Sequence, residues 1–115
     1  MQKIVYGKKS EIIAGEFLKK KGLKILEYNY KNKIGEIDIV AKQKNYIVFV
    51  EVKARMSRAF GDPAEAVDFR KQDKIRKVAS LYLMEHNLIE SNVRFDVVTI
   101  LGDENPEINH IINAF

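Results

Sequence analysis

Two runs of β-branched residues in the middle of the chain constrain its fold more than any other feature of the sequence. Gly35 opens the run Glu36-Ile37-Asp38-Ile39-Val40-Ala41, and after a polar break over residues 42–45 comes Tyr46-Ile47-Val48-Phe49-Val50-Glu51-Val52-Lys53. Two such runs with a short polar break between them predict a β-hairpin. The second run is apolar at every position from Ile47 to Val50. A strand of that kind is covered on both faces, so other elements must flank the sheet on either side.

The rest of the chain supplies those elements. Ile13, Ala14, Phe17 and Leu18 recur at helical spacing, with Ser10 placed to cap and Gly22 to terminate, which predicts a helix over 10–21. Residues 24–31 read as a strand. A loop over 54–68 with a short turn of helix near 63–67 leads into a longer helix over 69–87. The buried stripe of that helix is Ile75, Val78, Ala79, Tyr82 and Leu83, with Arg70, Lys74 and Lys77 on another side. Strands over 93–101 and 107–112 complete the order α-β-β-β-α-β-β, an α/β arrangement around one mixed sheet flanked by helices. There is no internal repeat and no linker, so residues 1–115 are read as one domain.

Composition bounds what such a domain does. At 46% hydrophobic and 31% charged, the chain can bury a core. It has no cysteine, which removes disulfides and thiolate zinc sites and agrees with a cytoplasmic location. The first ten residues hold no apolar run of signal-peptide type, and no stretch approaches the roughly 20 apolar residues of a membrane helix. The net charge of +4 permits an anionic partner without naming one.

The hairpin places chemistry. Side chains alternate along a strand, so Glu36, Asp38 and Val40 share one face, and Ile47, Phe49, Glu51 and Lys53 share one face of the next strand. With Lys44-Asn45 at the turn, opposed residues have numbers that sum to 89, which sets Asp38 against Glu51 and Glu36 against Lys53. Two opposed carboxylates repel, and a divalent cation between them relieves that repulsion. Lys53, on the same face, is then placed to hold or deprotonate a water that attacks phosphorus. The same spacing also fits a solvated strand end, with Glu36 paired to Lys53 and Asp38 to Arg55. Glu11, read as a first-turn residue, suits the helix dipole there, and it also borders the buried stripe.

A wider set of residues resembles a known family. Glu11-x-x-Ala14, Phe17-Leu18, Gly22, Asn29, Gly35-Glu36-Ile37-Asp38, Phe49-Val50-Glu51-Val52-Lys53-x-Arg55, Phe60-Gly61, Pro63, Ala66-Val67, Lys71, Ala79, Tyr82-Leu83, Arg94-Phe95-Asp96-Val97-Val98, His110-Ile111 and Ala114-Phe115 are similar to the YraN-like family of small bacterial proteins. That resemblance implies a restriction-endonuclease-like fold, akin to archaeal Holliday-junction resolvases. It implies Glu11, Asp38, Glu51 and Lys53 as the nuclease residues, with Asp38 and Glu51 as ligands of Mg²⁺ or Mn²⁺ and Glu11 assisting through water. Ser10 departs from the Gly or Ala that relatives often carry before the Glu.

The activity so implied is metal-dependent endonuclease cleavage of structured or branched DNA, and the resolvase analogy points to a homodimer. The rival reading is a nucleic-acid-binding accessory protein that keeps the fold without cleaving; a protein-interaction module with a vestigial site is the third. Arg70, Lys74 and Lys77 read equally as a solvated face or as a track for nucleic-acid phosphates. Tyr28 and Tyr30 read as packed or as base-stacking, and Asp96 as a partner of Arg94 or Arg55 or as a residue that supports the site from behind its ligands. His86 and His110 read as structural or solvent-facing and not as ligands.

Overall fold

A computed structural model describes residues 3–57, 59 and 67–115, with side chains from residue 9 onward. The elements are α1 (Lys3–Lys20), β1 (Lys24–Lys31), β2 (Glu36–Gln43), β3 (Tyr46–Arg55), α2 (Phe69–Glu85), β4 (Asn92–Leu101) and β5 (Glu107–Ile111). The order is α-β-β-β-α-β-β, and the strands lie side by side in chain order in one five-stranded sheet. β1, β2 and β3 are antiparallel neighbours; β3 and β4 run parallel; β5 returns antiparallel to β4. The parallel pair requires a crossover connection, and α2 provides it. This is the mixed α/β sheet with flanking helices that the sequence and the resemblance both imply.

Each helix covers one face. Against α1, Ala14 and Leu18 pack with Ile39, Ala41, Val48, Val50, Val98 and Ile100. Against α2, Ile75, Val78, Ala79 and Tyr82 pack with Val40, Ile47 and Phe49. Ile47 to Val50 are all buried because successive residues of β3 feed alternate cores. The α2 core is aromatic: Tyr82 meets Tyr30 edge-on at 4.9 Å and Phe49 at 5.6 Å, and Phe49 stacks on Phe95 at 5.6 Å.

The hairpin register is the one its length dictates. Gln43 pairs with Tyr46 and Ile39 with Val50, with Lys44 at φ 55° in the turn. The polar break is therefore only Lys44-Asn45, and β3 runs two residues past Lys53. The ladder stops at Ile39–Val50, so Glu36 does not face Lys53. It pairs instead with Lys31 of β1, in register and through an ion pair of 3.8 Å. Asp38 and Arg55 do not pair either; Arg55 donates to the Ala54 carbonyl.

The first helix begins at Lys3, seven residues before the predicted start. Ser10 is thus a buried interior residue and not the cap, and Glu11 lies well past the first turn, where the helix dipole no longer accounts for it. Ser10 followed by Glu11 and an apolar run imitates a helix start, and the residues before it, with Ile4, Val5 and Tyr6 contiguous and Gly7 after them, carry no helical period. The other end is as predicted: Gly22 at φ +93° lets the Gly22 and Leu23 amides reach the Lys19 and Leu18 carbonyls.

α2 is capped by Asp68, whose carboxylate accepts the Lys71 amide at 2.9 Å, and it ends at Glu85, two residues early, where His86 turns back on the Tyr82 carbonyl. β4 starts one residue earlier than predicted and β5 ends one residue sooner. The predicted turn of helix near 63–67 lies outside the described residues apart from Val67. No described helix is long and apolar enough to cross a membrane.

Candidate metal and phosphodiester site

The end of the β2–β3 ladder is where the site forms. Beyond Ile39–Val50 the strands separate, and the Asp38 carboxylate takes the place of a backbone partner: its Oδ2 accepts the Val52 amide at 2.8 Å. That bond fixes Asp38 beside Glu51, and the two carboxylates lie within hydrogen-bonding reach of each other. Burial, followed by the neighbouring Glu51, pushes Asp38 up to about 9. Burial also works to raise Glu51, but the hydrogen bond from Asp38 and the Lys71 ammonium outweigh it and hold Glu51 below the ordinary range. In the metal-free protein the pair therefore holds one proton at neutral pH.

Two lysines converge on Glu51. Lys71 of α2 reaches across to Glu51 Oε2 at 3.1 Å, and Glu51 is only 9% exposed. Lys53 stands beside Lys71, close enough to hydrogen-bond. Burial and that neighbouring ammonium lower Lys53, while Lys53 and the Glu51 carboxylate keep Lys71 raised against its own burial.

Glu11 approaches from the other helix. It lies within hydrogen-bonding reach of the Asn29 side chain and of Asp38, and it feels Glu36 and Glu51; burial is the main reason its pKa rises. Its Oε1 is buried without a hydrogen-bond partner. Asn29 explains the contact. β1 carries a bulge between Ile25 and Glu27, and Asn29, between the pairs Tyr28–Ile39 and Tyr30–Ile37, sits at φ +54°. Asn tolerates that left-handed conformation better than most residues.

The structure therefore brings Glu11, Asp38, Glu51 and Lys53 together. It adds Lys71, Asn29 and Asn32, which have no role in the sequence reading. Asn32 holds the β1–β2 turn: its Oδ1 accepts the Ile34 and Gly35 amides, and its Nδ2 donates to the Val78 carbonyl of α2 at 3.2 Å. An Asn before a Gly-containing turn was the available signal; the reach to α2 was not legible. Of the predicted cationic stripe, Lys74 faces a groove beside the site, whereas Lys77 is paired with Asp73 at 3.1 Å on the surface. Arg70 is exposed and does not line that groove.

The remaining candidates are structural. Tyr30 packs in the α2 core, and Tyr28 lies over Gly15 of α1, where a Cβ would collide with its hydroxyl. His86 stacks on Tyr82. Asp96 binds Arg94 and His110 on the α1 face, opposite the face that carries Glu51, so it takes no part in the site.

The residues present suit a hard divalent cation. Asp38 and Glu51 offer two carboxylates in one place, and Glu11 holds a buried oxygen with no other partner. Mg²⁺ takes one or two carboxylates and fills its shell with water and phosphate oxygens. Among the described residues no group of three Asp, Glu or His side chains is placed to hold a metal ion, so the direct protein donors here are the two carboxylates, Asp38 and Glu51.

Comparison with known proteins gives the lineage. The family model described as "Uncharacterised protein family UPF0102" matches residues 10–100. The chain belongs to the UPF0102 family. A UPF0102 protein of Caldanaerobacter subterraneus subsp. tengcongensis is 50% identical over 121 residues, covering 100% of this chain and 98% of the relative. One from Clostridioides difficile is 51% identical over 105 residues, covering 91% of each. The UPF0102 match spans every residue of the site, from Glu11 to Lys71, and agrees with the YraN-like resemblance.

Proposed function

We propose that this chain is a Mg²⁺- or Mn²⁺-dependent endonuclease acting on structured or branched DNA. The observation that carries the reading is the buried meeting of two carboxylates, Asp38 fixed by the Val52 amide at 2.8 Å beside Glu51, with Lys71 at 3.1 Å from Glu51 and Lys53 next to it. Asp38 and Glu51 would hold the cation, with Glu11 assisting through water. Bound there, it would supply positive charge to the phosphoryl oxygens and make a nearby water more acidic. The chain's own residues do the rest. Lys53, whose proton burial and the neighbouring Lys71 make easier to lose, would take the proton of the attacking water as the water oxygen bonds to phosphorus and the ester P–O bond breaks. The leaving oxygen is protonated from solvent. Lys71 keeps Glu51 ionised and in place, and the Val52 amide does the same for the orientation of Asp38.

One observation favours a second reading, a nucleic-acid-binding protein that does not cleave: Lys71 already neutralises Glu51. A cleavage panel of linear, flap and junction DNA with Mg²⁺ and Mn²⁺ separates the two. Endonuclease action predicts metal-dependent cleavage that falls by about a hundredfold or more in Lys53→Ala, as for loss of a general base, while binding is retained. Intact DNA in every lane, with binding retained, would favour the second reading.

A further inference from the structure

Gly35 opens the Gly35-Glu36-Ile37-Asp38 run, yet neither a left-handed φ nor contact with the metal site explains it. Its surroundings do. A Cβ built on Gly35 would meet Lys74 Cε at 2.9 Å, Val78 Cγ2 at 3.2 Å and Lys74 Cγ at 3.7 Å. The methylene stem of Lys74 is thus laid against the bare backbone of Gly35, which leaves room for it there. Gly35 and Lys74 line a groove of about 560 Å³ that Glu36, Asp38 and Glu51 also line. Lys31 and Lys33 stand on the turn side of the groove, and Lys71 stands on the helix side. Asn32 braces the turn against α2, so the two walls are held apart at a fixed spacing.

We infer that this groove is a binding site for one strand of a nucleic-acid backbone, with Lys74, positioned by Gly35, as its principal phosphate ligand. The charges favour an anion: Lys31, Lys33, Lys71 and Lys74 outnumber Glu36, Asp38 and Glu51 along the groove, and while Lys31 and Lys71 are paired with Glu36 and Glu51, Lys33 and Lys74 enter no ion pair among the described residues. The size favours one strand. A volume of about 560 Å³ lies within the range of small-ligand pockets, roughly 300–1,000 Å³, and a B-form duplex does not enter a cleft of that scale. The phosphodiester is common to DNA and RNA, and nothing in the groove demands a base. The inference deepens the nuclease reading by naming the substrate as a single-stranded segment, such as a flap, a frayed end or a strand parted at a branch. Strand binding needs neither the metal nor cleavage, so the two claims fail separately.

The test is fluorescence anisotropy with a labelled 12-nucleotide DNA strand, the same RNA strand and the matching blunt duplex, all in EDTA. The wild-type chain should bind either single strand more tightly than the duplex, and the tighter of the two identifies the source. Lys74→Ala should weaken strand binding several-fold and make the log–log salt slope shallower by about 0.7, the value of one phosphate contact on a single strand. Gly35→Ala should weaken it comparably with no change in charge, because the Lys74 stem has to move; the buried Val78 Cγ2 at 3.2 Å must give as well, so a small drop in the thermal melt is expected and binding is compared well below it. Lys77→Ala, on the paired surface face, should bind nearly as wild type does. Unchanged strand binding in Gly35→Ala, equal effects of Lys74→Ala and Lys77→Ala, or preference for the duplex would overturn the inference. Mn²⁺ binding at Asp38 and Glu51, measured on the same preparation, would still stand or fall by itself.

Discussion

Asp96→Asn should destabilise the fold by about 3–5 kcal/mol, the usual cost of removing one partner from a buried ion pair. Asp96 has 0% exposure and satisfies four groups at once. Arg94 Nε and Nη2 reach it at 3.0 and 2.9 Å, His110 Nε2 at 2.7 Å, and the Asn113 amide at 3.0 Å. The asparagine keeps the shape and loses the charge, leaving the Arg94 guanidinium, itself 12% exposed, without its counter-ion. The cluster also ties β5 and the C-terminal residues to β4, so its loss frees the sheet edge. Burial works to raise Asp96, but His110, Arg94 and the Asn113 amide outweigh it and lower the pKa. Its contribution is therefore fully present above the unfolded carboxylate value and is lost as pH falls through the lower folded one, which places the effect below about pH 4. Urea melts at pH 7 check the prediction; a loss under about 1 kcal/mol would remove Asp96 from the account of stability.

Asp38→Asn should have the opposite effect on the metal-free protein. Asp38 is raised to about 9, so its favourable contribution is complete below its unfolded value of 3.8 and is lost as pH rises through the folded one. Metal-free wild type should thus lose stability between about pH 4 and pH 9. The asparagine still accepts the Val52 amide and does not ionise, so this part of the slope should flatten. At pH 8 in EDTA the variant should be as stable as wild type or up to roughly 1–2 kcal/mol more stable, as when a strained functional site is relieved. Glu51 acts in the opposite sense and in acid, since its lowered pKa withdraws stability as pH falls. A large destabilisation of Asp38→Asn at pH 8 would mean that the carboxylate holds the fold together.

The residues that the sequence placed well are those whose position follows from a single local rule. The two-residue turn fixes the β2–β3 register, and alternation then puts Asp38 and Glu51 side by side on one face. The α2 stripe was legible from its period, and Gly22 from its position past the last periodic residue. What stayed hidden depends on tertiary reach. Lys71 looks like one more surface lysine until α2 is laid across the end of β3. Asn29 turns toward Glu11 only because a bulge and a left-handed residue redirect β1. Glu11 looked like a first-turn residue because nothing periodic precedes it, yet α1 continues back to Lys3. The Glu36–Lys53 pairing failed because the ladder ends at Ile39, and that ending opens the site.

Calorimetric titration of Mn²⁺ into wild type and Asp38→Asn tests the central claim most directly. A cation at Asp38 and Glu51 must displace the proton they share, because carboxylates bind metal only when ionised. Run at pH 7.5 in two buffers of different ionisation heat, wild type should bind Mn²⁺ and release about one proton per ion. The affinity should climb with pH until about 9, where Asp38 ionises unaided. Asp38→Asn should bind far more weakly and release no proton. Equal affinity in the two proteins, or no binding by wild type, would contradict the assignment of Asp38 and Glu51 as a divalent-metal site.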